Sequence, residues 1–160
     1  MRKILSFFLI TFFLLIHYSA TAQTKLKAEK AFLAELNNIL SNTKEQHWAY
    51  KGVMTIDSAF AISKSGDLAV TVRYKDEDGI VIARMSAPVK ETKWVAYDLY
   101  IILEYNSDVV TSFESKKNSK KLKGLQKSNY FHIGVPLYDG EQKKEELQKL
   151  LVNLLKYYRK

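Results

Sequence analysis

The stretch KWVAYDLYIILEY, residues 93–105, decides how this chain folds. Its odd positions, Val95, Tyr97, Leu99, Ile101 and Leu103, are apolar throughout. A period of two marks a strand with one face on a core. The even positions, Trp94, Ala96, Asp98, Tyr100, Ile102 and Glu104, are mixed. A face turned only to water seldom carries Trp94, Tyr100 and Ile102 together. Coverage by a helix or loop is the simpler account. The other is a groove with aromatic walls and one acid, the composition that ligand and peptide sites use.

The same period continues on both sides. Upstream, Leu68, Val70, Val72 and Tyr74 alternate with Ala69, Thr71 and Arg73, after a turn at Lys64-Ser65-Gly66-Asp67. Asp78-Gly79 is a tight-turn dipeptide leading into a strand from Ile80 to Met85, which Pro88 closes. Met54, Ile56, Phe60 and Ile62 share a parity that Ser58 interrupts, which predicts a bend or bulge. Downstream, Asn106-Ser107-Asp108 turns the chain into a strand at Val109–Phe113, and Tyr130–Val135 reads as the last strand.

Two segments change period to 3.6. From Lys25 to Leu40, Phe32, Leu33, Leu36, Ile39 and Leu40 share one helical face. From Glu141 to Lys160 the stripe is Leu147, Leu150, Leu151, Leu154, Leu155 and Tyr158. Glu141, Glu145 and Glu146 open that helix and Lys156, Arg159 and Lys160 close it, an order that complements the helix dipole. No helix separates the strands, so antiparallel pairing is expected over parallel crossovers. The pattern predicts an α+β domain: an N-terminal amphipathic helix, a curved antiparallel sheet of five or six strands in a meander, and a long C-terminal helix packed on it.

Residues 1–22 read as a signal peptide rather than as part of the fold. Met1-Arg2-Lys3 is positive, Ile4–Ile16 is apolar but for Ser6 and Thr11, and Ala20-Thr21-Ala22 offers a cleavage site before Gln23. The apolar run falls short of the roughly 20 residues that span a bilayer. Residues 23–160 then form a single exported domain, periplasmic or secreted, with no transmembrane segment after cleavage. The chain has no cysteine, which excludes disulfides, thiolate chemistry and an acylated cysteine anchor. Losing Arg2 and Lys3 takes the formal charge from +8 to +6. Outside the cytoplasm, such a balance suits an acidic protein, an acidic glycan or an anionic lipid surface rather than nucleic acid.

Few residues carry chemistry. Asp98 in mid-strand needs water, a partner or a purpose, and Asp57 in TIDSAF raises the same question. Two carboxylates on one cavity would suit acid–base work, although hydrogen-bonded or solvated aspartates are the simpler account. Asp76-Glu77-Asp78-Gly79 lacks the third oxygen ligand and the distal glutamate of a calcium loop, and reads as a hairpin turn. Lys116, Lys117, Lys120, Lys121, Lys123 and Lys127 stand beside a single acid, Glu114. They form a solvated loop or an electrostatic docking surface for an anionic partner. Scarce arginine and the lack of interleaved aromatics argue against nucleic acid. After processing, the histidines are His47 and His132, and no nucleophile elbow, paired-histidine zinc helix or phosphate loop is spelled out. No cofactor or metal is expected.

YFHIGVPLYDG, residues 130–140, reads mainly as a hinge into the last helix through Gly134, Pro136 and Asp139-Gly140. Phe131, Ile133 and Val135 take the core parity, which leaves His132 on the same kind of mixed face as Asp98. The expected function is that of a small exported, non-catalytic binding module. It would act through an aromatic sheet face bearing Trp94, Asp98, Tyr100 and His132, or through the lysine-rich loop. The alternatives are a carrier of an apolar small molecule between sheet and C-terminal helix, and an acid–base enzyme using Asp98 and His132.

Overall fold

The computed structural model describes residues 24–41, 53–76, 78–134, 136–138 and 140–159. Residues 1–22, read from the sequence as a signal peptide, and His47, Glu77, Val135 and Asp139 lie outside them. Helix α1 covers residues 24–41, and its buried face is Ala28, Phe32, Leu36, Ile39 and Leu40. The strands are β1 (Val53–Ile62), β2 (Asp67–Asp76), β3 (Gly79–Pro88), β4 (Thr92–Asp98), β5 (Tyr100–Tyr105), β6 (Val110–Ser115), β7 (Leu122–Ser128) and β8 (Tyr130–Ile133); helix α2 is Gly140–Tyr158. All strand pairs are antiparallel, so the α+β architecture holds. No described helix is long and apolar enough to cross a membrane.

The strands form two sheets where the sequence suggests one. The first is five-stranded in the order β1-β2-β3-β6-β7, and the second is three-stranded in the order β4-β5-β8. Eight strands replace the expected five or six for two reasons. The long run at 93–105 folds back on itself at Leu99, and the lysine-rich stretch is itself partly a strand, β7. Leu99 takes a left-handed φ of 59°, which lets Asp98 and Tyr100 face each other across a hairpin. Nothing in an alternating apolar pattern marks such a fold-back.

The parity reading nevertheless survives, for a geometric reason. The hairpin pivots on an odd residue, so Val95 pairs with Leu103 and Tyr97 with Ile101. Odd positions of both arms therefore share one face, and Val95, Ile101 and Leu103 are buried. Leu99, at the apex, is 55 % exposed. A left-handed conformation costs an L-residue about 1–2 kcal/mol, and glycine returns part of that as unfolded-chain entropy. Leu99→Gly is thus expected to raise stability by ~1 kcal/mol, read as a higher melting temperature.

Leu68, Val70, Val72 and Tyr74 line the inner face of the first sheet and merge with the buried faces of both helices and the second sheet in one core. The predicted irregularity in β1 is a double slip of register against β2, between Ile56 and Ala61. Helix α2 buries Leu147, Leu151, Leu154 and Leu155 and packs over β4 and β5. Its first residue is a glycine because the Tyr97 ring lies against it: a Cβ there would stand 2.2 Å from Cε2. The Tyr97 hydroxyl donates to the Leu137 carbonyl, which holds the ring in place. Gly140→Ala is expected to cost about 1–3 kcal/mol through overpacking, despite alanine's better helix propensity. The denaturation midpoint checks this, and a smaller ring substitute, Tyr97→Leu, should reduce the penalty.

The helices also cap sheet edges. On β1, Asn37 Oδ1 accepts from the Phe60 N–H at 2.7 Å while its amide donates back to the Phe60 carbonyl at 3.2 Å. On β4, Gln148 Oε1 accepts from the Val95 N–H at 2.7 Å and Arg159 donates to the Thr92 carbonyl, and also to the carbonyl of Lys90 just before the strand. The two helices are tied to each other by polar contacts. The Tyr158 hydroxyl donates to Glu29 at 2.6 Å, and Lys143 pairs with Glu35 at 3.0 Å.

Candidate functional site

The register of the second sheet brings the expected site residues onto one face. Trp94 faces Glu104, which in turn faces Tyr130 on β8. The next row is Ala96, Ile102 and His132, and Asp98 faces Tyr100 at the hairpin end. Trp94 is 43 % and Tyr130 44 % exposed, so helix α2 does not cover this face; it packs on the other. Lys93 Nζ lies 3.7 Å from the centroid of the Trp94 ring, a cation–π contact that shields part of the indole.

Tyr100 and His132 meet edge to face, with ring centroids 5.5 Å apart and planes at 87°. Such aromatic pairs prefer this geometry because the positive ring edge faces the negative ring face. His132 also joins this face to a cavity of about 80 Å³ beneath it. It is lined by Val70, Val72, Tyr74, Ala83 and Met85 of the first sheet, by Leu40 of α1 and Phe60 of β1, and by His132 and Gly134.

Burial of the ring lowers the His132 pKa, which disfavours its charged form. Burial likewise raises the Tyr100 phenol. Tyr74 is pushed up to about 12, first by burial and then by the nearby Tyr100 and Glu114. The site thus offers hydroxyl and imidazole groups able to donate or accept hydrogen bonds above an apolar hollow. Glu114, on β6, faces Ala83 and Lys123.

The remaining candidates are placed as follows. Asp98 sits exposed at the hairpin apex, and no hydrogen bond or ion pair joins it to His132 among the described residues. Asp57 pairs with Arg73, with Oδ1 at 2.7 Å from Nη2. Asp78 pairs with Lys117 at 2.9 Å, which ties the β2–β3 hairpin to the lysine segment. Lys116, Lys117, Lys120 and Lys121 occupy the β6–β7 connection, while Lys123 and Lys127 lie on β7; all six are exposed. No group of three or more side chains suited to holding a metal ion is present among the described residues.

Sequence reasoning missed the cavity, Tyr74 and Glu114. One signal was present: Tyr74 ends the apolar stripe Leu68-Val70-Val72, placing a hydroxyl at its open end. Glu114 reads in sequence only as a lone acid beside lysines. Neither family models, nor curated proteins, nor solved structures match this chain.

Proposed function

We propose that this chain is a small exported, non-catalytic binding module that anchors an apolar group of a larger partner between its two sheets. The observation that supports it is the apolar hollow opening beside the Tyr100–His132 pair, on an exposed aromatic face. At about 80 Å³ the hollow is far smaller than the roughly 300–1,000 Å³ that drug-sized ligands occupy. A side chain or the end of an acyl chain suits it; a whole lipid does not. That favours an interaction module over a carrier. Trp94 and Tyr130 then extend the contact across the sheet, as aromatic anchors do in protein interfaces. With the expected leader at residues 1–22, the proposed partner is a protein or glycan outside the cytoplasm. The lysine segment would reinforce contact with an acidic one.

The test is a titration with straight-chain carboxylates of increasing length, followed by amide chemical shifts. Shifts at Val72, Ala83 and Gly134 that saturate with a short chain support an anchoring site. Affinity that keeps rising with chain length marks a carrier instead, and no shift at any length overturns both. Ala83→Leu, which fills the hollow, is expected to abolish the response while the melting temperature holds within a few degrees.

A further inference from the structure

The fold treats its sheet edges unequally. Two edges are met at particular residues by side chains from the helical segments: β1 at Phe60 by Asn37, and β4 at Val95 by Gln148 and at Thr92 by Arg159. The edge at β8 is four residues long. Edge β7 is seven residues long, exposed over most of its length, and no side chain or strand caps its outer row among the described residues. An open edge presents unpaired N–H and C=O groups and templates the addition of another strand.

The charge along β7 selects what can pair there. Lys120 and Lys121 lead into it, and Lys123 and Lys127 lie on it. Lysines on an edge repel a second copy of the same edge, so self-pairing is disfavoured. They attract an anionic strand instead. Opposite Ser112 the register slips, and Leu125 in that bulge is 60 % exposed, an apolar contact within a basic row. A polyanionic sugar or an anionic bilayer would use the lysines alone. An extended peptide uses the lysines, the backbone row and Leu125 together.

We infer that β7 is a β-augmentation edge that takes an extended acidic segment of a partner protein as a sixth strand of the first sheet. The contact is separate from the cavity, which lies within the fold.

The probe is a fluorescently labelled peptide of alternating glutamate and valine, read by anisotropy at low ionic strength. A second peptide has the same charge but carries N-methyl groups on alternate backbone amides, so it cannot complete a ladder. The parent peptide is expected to bind saturably, and the N-methylated one to bind about tenfold more weakly or worse. Lys120→Glu, Lys121→Glu and Lys127→Glu together are expected to weaken the parent peptide by about tenfold or more. Lys123 is kept in that variant because it faces Glu114 across the sheet. If the variant fails to fold, hydrogen exchange of the Leu122–Ser128 amides in the unaltered protein decides, with slowing by peptide expected. Equal binding of both peptides, no binding of the parent, no slowing of those amides, or binding only of anionic vesicles or dextran sulfate overturns the inference.

Discussion

Phe131→Ala is expected to lower stability by about 3–5 kcal/mol, the range for removing a large buried aromatic. The ring is fully buried, and it sits 5.9 Å from the Phe60 ring at a tilt of 42°. Phe60 belongs to the first sheet and Phe131 to the second, so this contact joins the two layers. Truncation would leave a void that neither backbone can close, because both are held in hydrogen-bonded ladders. Against a total stability of about 5–15 kcal/mol, such a loss takes roughly a fifth or more. Urea denaturation checks it as a lower midpoint with an unchanged slope. The neighbouring Tyr130→Ala, on the exposed face of the same strand, should change stability by no more than about 0.5 kcal/mol.

The second large effect is alkaline destabilisation. Tyr74 and Tyr105 are both pushed up to about 12, chiefly by burial. The Tyr105 hydroxyl is buried near Thr92 but outside hydrogen-bonding geometry, so nothing there favours its anion strongly. Below pH 10 these phenols are neutral in both folded and unfolded chains, and their contribution to stability is fully present. Between pH 10 and 12 the unfolded chain releases protons that the folded chain retains, and stability falls. The slope is about 1.4 kcal/mol per pH unit for each tyrosine, or roughly 3–5 kcal/mol for the two by pH 12. Lys143, raised by its hydrogen bond to Glu35, shifts stability in the same direction. Denaturation midpoints measured from pH 9 to 12 read the slope. Tyr74→Phe and Tyr105→Phe together should flatten it markedly, and an unchanged slope would remove burial of these phenols as its cause. At neutral pH, Tyr105→Phe alone should cost little, since the hydroxyl it removes has no hydrogen bond to lose.

Much of the architecture was legible in local patterns, and particular residues show why. The helices were readable because the stripes Phe32-Leu36-Ile39-Leu40 and Leu147-Leu151-Leu154-Leu155 repeat at the helical period, and those residues are buried. Leu68, Val70, Val72 and Tyr74 were readable as one buried face for the same reason at period two. Asp78-Gly79 announced its hairpin through glycine's freedom, and Gly79 does take a φ of 141°. Leu99 announced nothing. Leucine in a left-handed turn runs against its own preference, so only the surrounding pairing can hold it there. The same holds for β7, whose lysines and glycine suggest a loop; its pairing with β6 makes it a strand.

The candidate site divides along the same line. Trp94, Asp98 and Tyr100 could be placed on a common face from alternation alone. Alternation is a property of the backbone, and the fold-back at Leu99 preserves it. That His132 joins them depends on β8 pairing with β5, with Ile102 opposite His132. No local pattern encodes that register, because it is set by Phe131 and Ile133 reaching a core assembled from distant segments. The hollow beside it likewise needs Leu40, Phe60, Val72 and Met85 brought together from four elements. The sequence by itself therefore determined most of the buried faces, since burial follows side-chain chemistry and period, but not Leu99 and Ile56, which share the apolar parity and lie exposed. Tertiary structure alone decided where the chain folds back, which edges stay open and which side chains meet, since these depend on long-range pairing that local preference does not carry.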